Sequence, residues 1–449
     1  MPNESHLNYH LVTLGCQMNK ADSERFETVL HDVGYVKTLD EHKAQLLGIL
    51  ACSVRQKAID KVYSRIHKWN TWKNKRNLIT FVSGCILPDD KEKFLKLFDL
   101  VFPTKDVDQL PELLTSYGIV SPVSARPFVN AKGSTDALSK FWNVQPSYAN
   151  SFEAFVPIQN GCDKFCTFCA VPYTRGREVS RPSQEIIDEV EKLIENDYKS
   201  ITLLGQNVNS YGRDKNGSEI SFAQLLDHIG SLGDVAGKEF KVYFTSPHPR
   251  DMTDDVIDAI AGYACLAKQL HLPLQSGDDK LLIKMNRKHS VARYRHIIDK
   301  IRTTLPGAAI FTDLIVGFTG ETEGQFENTR RAVREFDFNM AYIAQYSPRP
   351  GAASSRWKDD IPAGEKKRRF ETLTKDLEKI AYQKNASLVG KTMRVLVTGR
   401  DRKNEYYTGY TEGRIPARFV SERDDVVGTF VDLEITSSRA FSIEGNLVN

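Results

Sequence analysis

No apolar run in the 449 residues approaches the roughly 20 that a membrane-spanning helix needs. The opening Met1-Pro2-Asn3-Glu4-Ser5-His6 lacks the basic start and apolar core of a signal peptide, and the Arg-rich amphipathic pattern of a transit peptide is missing too. A cytoplasmic protein with no membrane partner is expected. A dominant charge is also lacking: 61 Lys and Arg stand against 58 Asp and Glu, a formal net of +3, which permits a nucleic-acid partner without requiring one. Cysteine is scarce at seven residues, and in a chain of this type so few thiols speak for metal or redox chemistry rather than disulfides. With 41% hydrophobic and 27% charged residues the composition excludes a disordered chain. The length calls for two or three domains.

Three of the seven thiols fall within eight residues, Cys162-Asp163-Lys164-Phe165-Cys166-Thr167-Phe168-Cys169. The loop lies between the apolar run Phe155-Val156-Pro157-Ile158 and the basic stretch Tyr173-Thr174-Arg175-Gly176-Arg177. Soft sulfur ligands converging from one loop favour zinc or an iron–sulfur cluster. Structural zinc takes four ligands, usually as two C-x2-C pairs, whereas the spacing here is three then two with no fourth Cys or His nearby. A cubane cluster held by three thiolates would leave one iron open to a substrate or cofactor. A zinc knuckle is the other reading of the same residues.

Three more cysteines share a different pattern. Tyr9–Leu14, Gln45–Ala51 and Leu78–Val82 read as short buried strands that run into Cys16, Cys52 and Cys85. Helical patterns at Ala21–Val33 and Val54–Trp69 separate them. Strands alternating with helices predict a parallel α/β sheet, whose ligand site lies beyond the carboxyl ends of its strands. The separations of 36 and 33 residues equal one strand–helix repeat each. All three thiols therefore fall on one rim of one sheet, a second three-ligand site.

Pro122, Pro127, Gly133 and Pro146 mark residues 121–151 as an extended linker, so that 1–120 forms the first domain. Strands alternate with helices again from Phe152. Strands are expected at Ala154–Ile158, Ile201–Leu204, Lys241–Thr245, Lys268–Leu272, Ala309–Val316 and Asn339–Tyr346. Six such units over 152–386 predict a partial (βα)6 barrel with its chemistry at the strand C-termini. Polar groups gather there at Gly205-Gln206-Asn207, Ser246, Ser276 and Gly317. Cys265, inside Ala264-Cys265-Leu266-Ala267, reads as a small core residue. The helical stretch Pro362–Leu388 opens with Lys366-Lys367-Arg368-Arg369, a charge run of the kind found on solvated faces. Five short strands over 387–449 predict a small antiparallel barrel. That segment holds nine Lys/Arg and nine Asp/Glu, so RNA binding there needs an uneven surface. A basic–aromatic stretch at His67–Arg76 reads as a base- and phosphate-contacting patch or as a solvated helix end.

The loop Cys162/Cys166/Cys169, with Phe168 before its last cysteine, resembles that of the radical S-adenosylmethionine (SAM) enzymes. Further motifs extend the likeness to the radical-SAM methylthiotransferases, and within them to the MiaB-type branch that acts on isopentenyladenosine at position 37 of tRNA. These are Gly15-Cys16-Gln17-Met18-Asn19, Cys52-Ser53-Val54-Arg55, Leu204–Tyr211, Met285-Asn286-Arg287 and Tyr346–Gly351. The resemblance implies two 4Fe-4S clusters, an auxiliary one on Cys16, Cys52 and Cys85 and a SAM-binding one on Cys162, Cys166 and Cys169. It implies no catalytic side chain beyond these ligands. It also implies bound SAM, for which barrel position makes the strand-end groups Gly205, Gln206, Asn207, Ser246, Ser276 and Gly317 the candidate contacts, and a C-terminal TRAM barrel that contacts tRNA phosphates, with Arg394, Arg400, Arg402, Lys403, Arg414 and Arg418 as the candidate residues. A monomer served by an electron donor such as flavodoxin or ferredoxin completes the picture. The sequence departs from the branch's pattern at Leu50-Ala51, Ile86-Leu87-Pro88, Thr319 (usually Pro) and Lys288-His289 (usually Gly-Tyr). The rival readings are methylthiolation of threonylcarbamoyladenosine in tRNA, or of a ribosomal-protein aspartate, and a non-catalytic RNA-binding protein carrying zinc or a cluster.

Overall fold

Every residue of the strand Leu46–Cys52 is buried, the mark of a strand covered by helices on both faces. It is the centre of the smaller of two compact units. That unit takes in Met1–Ala149, Cys169–Gly176 and Arg349–Gly351; the larger takes in Asn150–Phe168, Arg177–Pro348 and Ala352–Asn449. The structure, a computed structural model, describes residues 7–116, 137–402 and 405–448. The start Met1–His6, the linker residues Pro122, Pro127 and Gly133, and Lys403 lie outside the described residues.

The smaller unit runs β1 (Leu7–Thr13), α1 (Gln17–Asp32), β2 (Tyr35–Lys37), β3 (Leu46–Cys52), α2 (Gln56–Lys73), β4 (Ile79–Cys85), α3 (Pro88–Phe94) and β5 (Leu100–Val101). The sheet order is β2-β1-β3-β4-β5, and every pair is parallel. This is a doubly wound order in which the winding reverses between β1 and β3, the place where such sheets open a ligand crevice. One face packs Leu47, Ile49 and Ala51 against Ile59, Val62, Ile66 and Trp69. On the other, the rings of Phe26, Phe81 and Phe102 pack together at centroid distances of 5.8 to 6.1 Å. Gly48 is required there, since a Cβ on it would lie 2.1 Å from the Phe81 ring.

Helices α4 (Leu110–Ser116) and α5 (Ala137–Asn143) follow. The described part of the expected linker is not extended chain. Helix α5 buries Phe141 and Trp142, and the Ser147 and Ala149 amides donate to the Glu24 carbonyl and carboxylate, each at 3.1 Å. Two adjacent large aromatic side chains supply enough apolar area to dock a segment whose other residues read as linker.

In the larger unit come β6 (Glu153–Pro157) and β7 (Gln159–Asn160); α6 (Val171–Arg175) is grouped with the smaller unit. Then follow β8 (Val179–Ser180), α7 (Ser183–Glu195), β9 (Ser200–Leu204), α8 (Phe222–Ala236), β10 (Lys241–Phe244), α9 (Asp254–Gly262), β11 (Gln269–His271), α10 (Asp279–Lys284), α11 (Val291–Thr304), β12 (Ala309–Val316), α12 (Glu323–Phe336) and β13 (Met340–Gln345). The expected strands form two parallel triplets, β6-β9-β10 and β11-β12-β13, joined by a parallel bridge between Val242 and Leu266. The result is an open (βα)6 arc. Cys265 is buried beside that bridge.

Helix α13 (Ala363–Ala386) buries Leu373, Leu377 and Ala381 along one stripe. The expected solvated charge run at its start holds for Lys367 and Arg368, which are exposed, and is corrected for Lys366 and Arg369. Lys366 is buried, with Nζ 2.6 and 2.7 Å from the Asp359 carboxylate, and buried Arg369 donates to the buried Glu321 carboxylate at 2.8 Å. Buried charges persist only when paired in this way.

Strands β14 (Thr392–Arg400), β15 (Tyr406–Thr411), β16 (Pro416–Val420), β17 (Phe430–Arg439) and β18 (Ser442–Leu447) close into a barrel in the order β14-β15-β16-β18-β17. The barrel is antiparallel as expected at four of its five pairings, and β16 and β18 run parallel. A closed ring with an odd number of strands cannot alternate direction all the way round, so one pair must match. The turn after β15 sits at the N-terminal ends of the arc's strands. There Glu412 accepts from the Lys268 amide and Lys241 Nζ, both at 3.1 Å, and Arg414 Nη2 donates to Ser200 Oγ at 3.0 Å.

Candidate metal centres

The sheet of the smaller unit delivers its three thiols as the strand pattern requires. Cys52 ends β3, Cys85 ends β4, and the two are register partners. Cys16 stands just before α1. Gly15 has φ +119°, and a Cβ there would lie 2.7 Å from Cys52 Cβ and 3.3 Å from Cys52 Sγ. Only glycine lets the loop carrying Cys16 close on Cys52. Buried Asn19 locks that loop, donating to the Leu14 carbonyl at 2.7 Å and the Ala51 carbonyl at 2.8 Å. The departure at Ala51 leaves this bond intact because a backbone oxygen accepts it. Ser53 Oγ likewise accepts the Leu87 amide at 3.2 Å, so the Ile86-Leu87-Pro88 departure keeps an anchored backbone.

None of the six candidate ligands is in a disulfide. Burial pushes Cys85 up to about 12, with Cys52 and Cys16 adding to the shift and Arg175 opposing it. Burial and then Cys16 raise Cys52. Thiols that disfavour one another's ionisation give up their protons to a metal cation, which inverts the local charge balance. Among the described residues no three Cys, His, Asp or Glu side chains stand as a finished ligand cage. The fold fixes the backbone positions, and the donor set, three thiols and no carboxylate, suits iron–sulfur chemistry.

In the larger unit Cys162 and Cys166 are buried, while Cys169 opens the segment grouped with the smaller unit. Met285-Asn286-Arg287 clamps this loop. The Met285 carbonyl accepts the Thr167 amide at 3.0 Å, Asn286 Nδ2 donates to the Lys164 and Phe165 carbonyls at 3.2 and 2.9 Å, and Arg287 Nη1 lies 3.4 Å from Cys166 Sγ. Lys164 is itself buried, 2.8 Å from the fully buried Asp251 carboxylate. Sequence reasoning gave Lys164, Asp251, His248 and Arg287 no such place.

The six expected cofactor contacts separate into groups. Gln206 Oε1 accepts the Gly161 amide, Gly205 packs on Gln159, and Asn207 Nδ2 donates to Ser210 at 2.7 Å and Asp251 at 3.1 Å. These three stand beside the cysteine loop. Ser246 is exposed, with φ +61°. Ser276 is buried and bonded to Thr329 and the Asp278 amide, while Gly317 donates to Glu321 and packs on Lys366. Four polar atoms nearby, Asn207 Oδ1, His248 Nε2, Arg287 Nε and His289 Nε2, are buried without a partner among the described residues. Burial holds His248 far below the usual histidine range, with Arg287 and His289 adding to it. A polar, uncharged imidazole beside unfilled acceptors and donors fits a cofactor with a zwitterionic amino-acid end such as SAM.

The basic side chains marked for RNA are largely paired within the protein. Lys68 and Arg76 flank the Trp72 ring at 4.9 and 5.0 Å, and Lys68 reaches Glu41 at 3.0 Å. In the barrel Arg394 pairs with Glu239 and Asp432, Arg400 with Asp424, Arg414 with Glu153 and Arg418 with Glu444. Arg402 is exposed.

Comparisons with known proteins follow the same division. Residues 8–102 match Uncharacterized protein family UPF0004, 156–333 the Radical SAM superfamily and 386–448 the TRAM domain. The chain is 37% identical over 445 residues to a tRNA-2-methylthio-N(6)-dimethylallyladenosine synthase of Clostridium botulinum (strain Okra / Type B1), covering 97% of this chain and 96% of that one. It is 38% identical over 447 residues to the protein of the same name from Yersinia pestis (strain Pestoides F), covering 98% and 92%. Among solved structures it is similar in fold to the radical S-adenosylmethionine methyltransferase TsrM from Kitasatospora setae, with a TM-score of 0.53, 13% identity and coverage of 75% and 72%.

Proposed function

This chain belongs to the tRNA-2-methylthio-N(6)-dimethylallyladenosine synthase family of radical SAM enzymes, and from that premise we propose that it adds a methylthio group to carbon 2 of N6-isopentenyladenosine at position 37 of tRNA. The observation that carries the reading is the identity of 37% spread over 97% of the chain, with none of the six candidate cysteines in a disulfide. Domains are assigned as 1–120, 152–386 and 387–449, with 121–151 between the first two.

Cys162, Cys166 and Cys169 would hold the cluster that binds SAM, and Cys16, Cys52 and Cys85 a second cluster. Bound there, the first cluster together with SAM would supply the radical chemistry that removes an unactivated C–H hydrogen, and the second would supply the sulfur. The chain's own residues bind and orient. Met285–Arg287 hold residues 164–167 of the first cysteine loop in shape, and Asn19 and Gly15 hold Cys16 against Cys52. Gly205, Gln206, Asn207, Ser246, Ser276 and Gly317 are proposed around SAM, the first three as scaffold of its pocket. The target base must leave the stacked anticodon loop to reach such a buried site. A flavodoxin- or ferredoxin-type electron donor, a monomer and a cytoplasmic location complete the proposal. The last is supported by the finding that no helix among the described residues is long and apolar enough to cross a membrane.

Nucleoside mass spectrometry of tRNA from cells with and without the gene tests the activity. Single-turnover assays with stem-loops bearing isopentenyladenosine, threonylcarbamoyladenosine or adenosine test the substrate. The prenyl group offers apolar burial worth about 2 kcal/mol, so the first stem-loop is expected to react best. Preference for the second would move the chain to the threonylcarbamoyl reading.

A further inference from the structure

We propose that Arg175 is a positioning residue for the Cys16/Cys52/Cys85 centre, acting through the sulfur of Cys85; this rests on the two-centre reading above. Arg175 ends α6, six residues beyond Cys169 in the chain. Its Nε lies 2.8 Å from Cys85 Sγ, and its Nη2 lies 2.9 Å from Asn19 Oδ1 and 2.7 Å from Asp22 Oδ2. The Arg175 and Asp22 side chains are only 7% and 2% exposed.

Burying a guanidinium is costly unless its charge is matched. Asp22 matches it, and an Arg–Asp pair made only for stability would be complete there. The Nε–H is instead directed at a sulfur, and Asn19, the residue that locks the Cys16 loop, is held by the same guanidinium. A hydrogen bond from a cation draws electron density off a ligand sulfur. It therefore favours the more negative, reduced state of whatever the sulfur binds. Lysine would keep the charge, but it has no rigid fork to serve sulfur, amide and carboxylate together.

The test uses the full-length protein with both centres loaded. The EPR signal that changes on adding SAM reports the Cys162/Cys166/Cys169 centre, and the one that does not reports the other. Redox titrations are made on Arg175→Lys and on the double variant Arg175→Met/Asp22→Asn, which leaves no buried carboxylate unpaired. Both are expected to lower the midpoint potential of the SAM-insensitive signal, leaving the other signal and the iron content unchanged. Selective loss of the SAM-insensitive signal in either variant also supports the proposal. An unmoved potential at full iron content would overturn it, and so would equal shifts of both signals, which mark a general loosening. A wild-type chain carrying iron for one centre only overturns the two-centre reading and the arginine's role together, a result the iron count tells apart.

Discussion

The guanidinium of Arg414 lies 3.8 Å from the centroid of the Tyr243 ring. Through it the C-terminal barrel is fixed to the strand that starts at Lys241, while the same side chain reaches Ser200 and Glu153 at the starts of two neighbouring strands. Arg414→Ala is expected to lower stability by about 1–3 kcal/mol, since it removes a cation–π contact and leaves partly buried partners unpaired. Thermal unfolding of the variant checks this. Truncation after Leu388 removes Glu412 as well and is expected to cost more, so weaker tRNA binding by a truncated chain would reflect a loosened arc as well as a lost surface. Substitution of exposed Arg402 is the cleaner probe of phosphate contact.

The two cysteine trios are expected to be separable. Changing Cys162, Cys166 and Cys169 to Ala should abolish SAM cleavage and remove about half of the iron, since each cluster depends on its own thiolates. Changing Cys16, Cys52 and Cys85 should stop methylthiolation and leave reductive SAM cleavage measurable. Loss of cleavage in the second variant, with unchanged circular dichroism, would defeat the two-site assignment.

Lys288 is exposed and has φ +55°, a left-handed conformation that costs a residue with a Cβ about 1–2 kcal/mol. The related branch usually carries Gly there. Lys288→Gly is expected to stabilise the protein by about 0.5–1 kcal/mol after glycine's larger entropy loss is subtracted. Urea denaturation giving a lower midpoint would show that Lys288 makes a contact worth more than the strain.

Burial, then the charge of Arg287, lowers His289 from the usual 6.5 to about 4. The unfolded chain takes up a proton below 6.5 that the folded chain refuses until about 4. Stability therefore falls as the pH drops through that window, by at most about 1.4 kcal/mol per pH unit from this group. His289→Asn keeps a donor for the Arg287 carbonyl, which the ring nitrogen meets at 3.2 Å, and removes the titration. Its stability is expected to vary less between pH 6.5 and 4 than the wild type's, as read from urea midpoints across that range.

The sheet of the smaller unit was legible because each signal is local. An apolar run followed by a small residue and a cysteine needs no distant partner to be read. The doubly wound order was not legible, since β2 and β5 have three and two residues and no period to detect. Buried polar residues were the larger loss. Arg175 and Lys164 look like surface charges in sequence, and their partners Asp22 and Asp251 lie 153 and 87 positions away. Lys366 and Arg369 were misread for the same reason, because a charge run has one appearance whether water or a carboxylate faces it. Trp69 and Trp72 show the limit of composition. The first is fully buried core and the second is a ring flanked by cations, although the basic–aromatic pattern treats them alike.

The odd strand count of the C-terminal barrel gives it a built-in place to come apart. The parallel seam between β16 and β18 has two register pairs, Ala417 with Ile443 and Arg418 with Glu444, where the β14–β15 pairing has five. Amides along the seam should be the first of the barrel's strands to exchange with deuterium, because local opening follows the fewest hydrogen bonds. Once parted, both strands become free edges of the kind that template pairing with another chain. On heating, aggregation should therefore start at the TRAM barrel, ahead of the cysteine-bearing sheet whose central strand is covered on both sides.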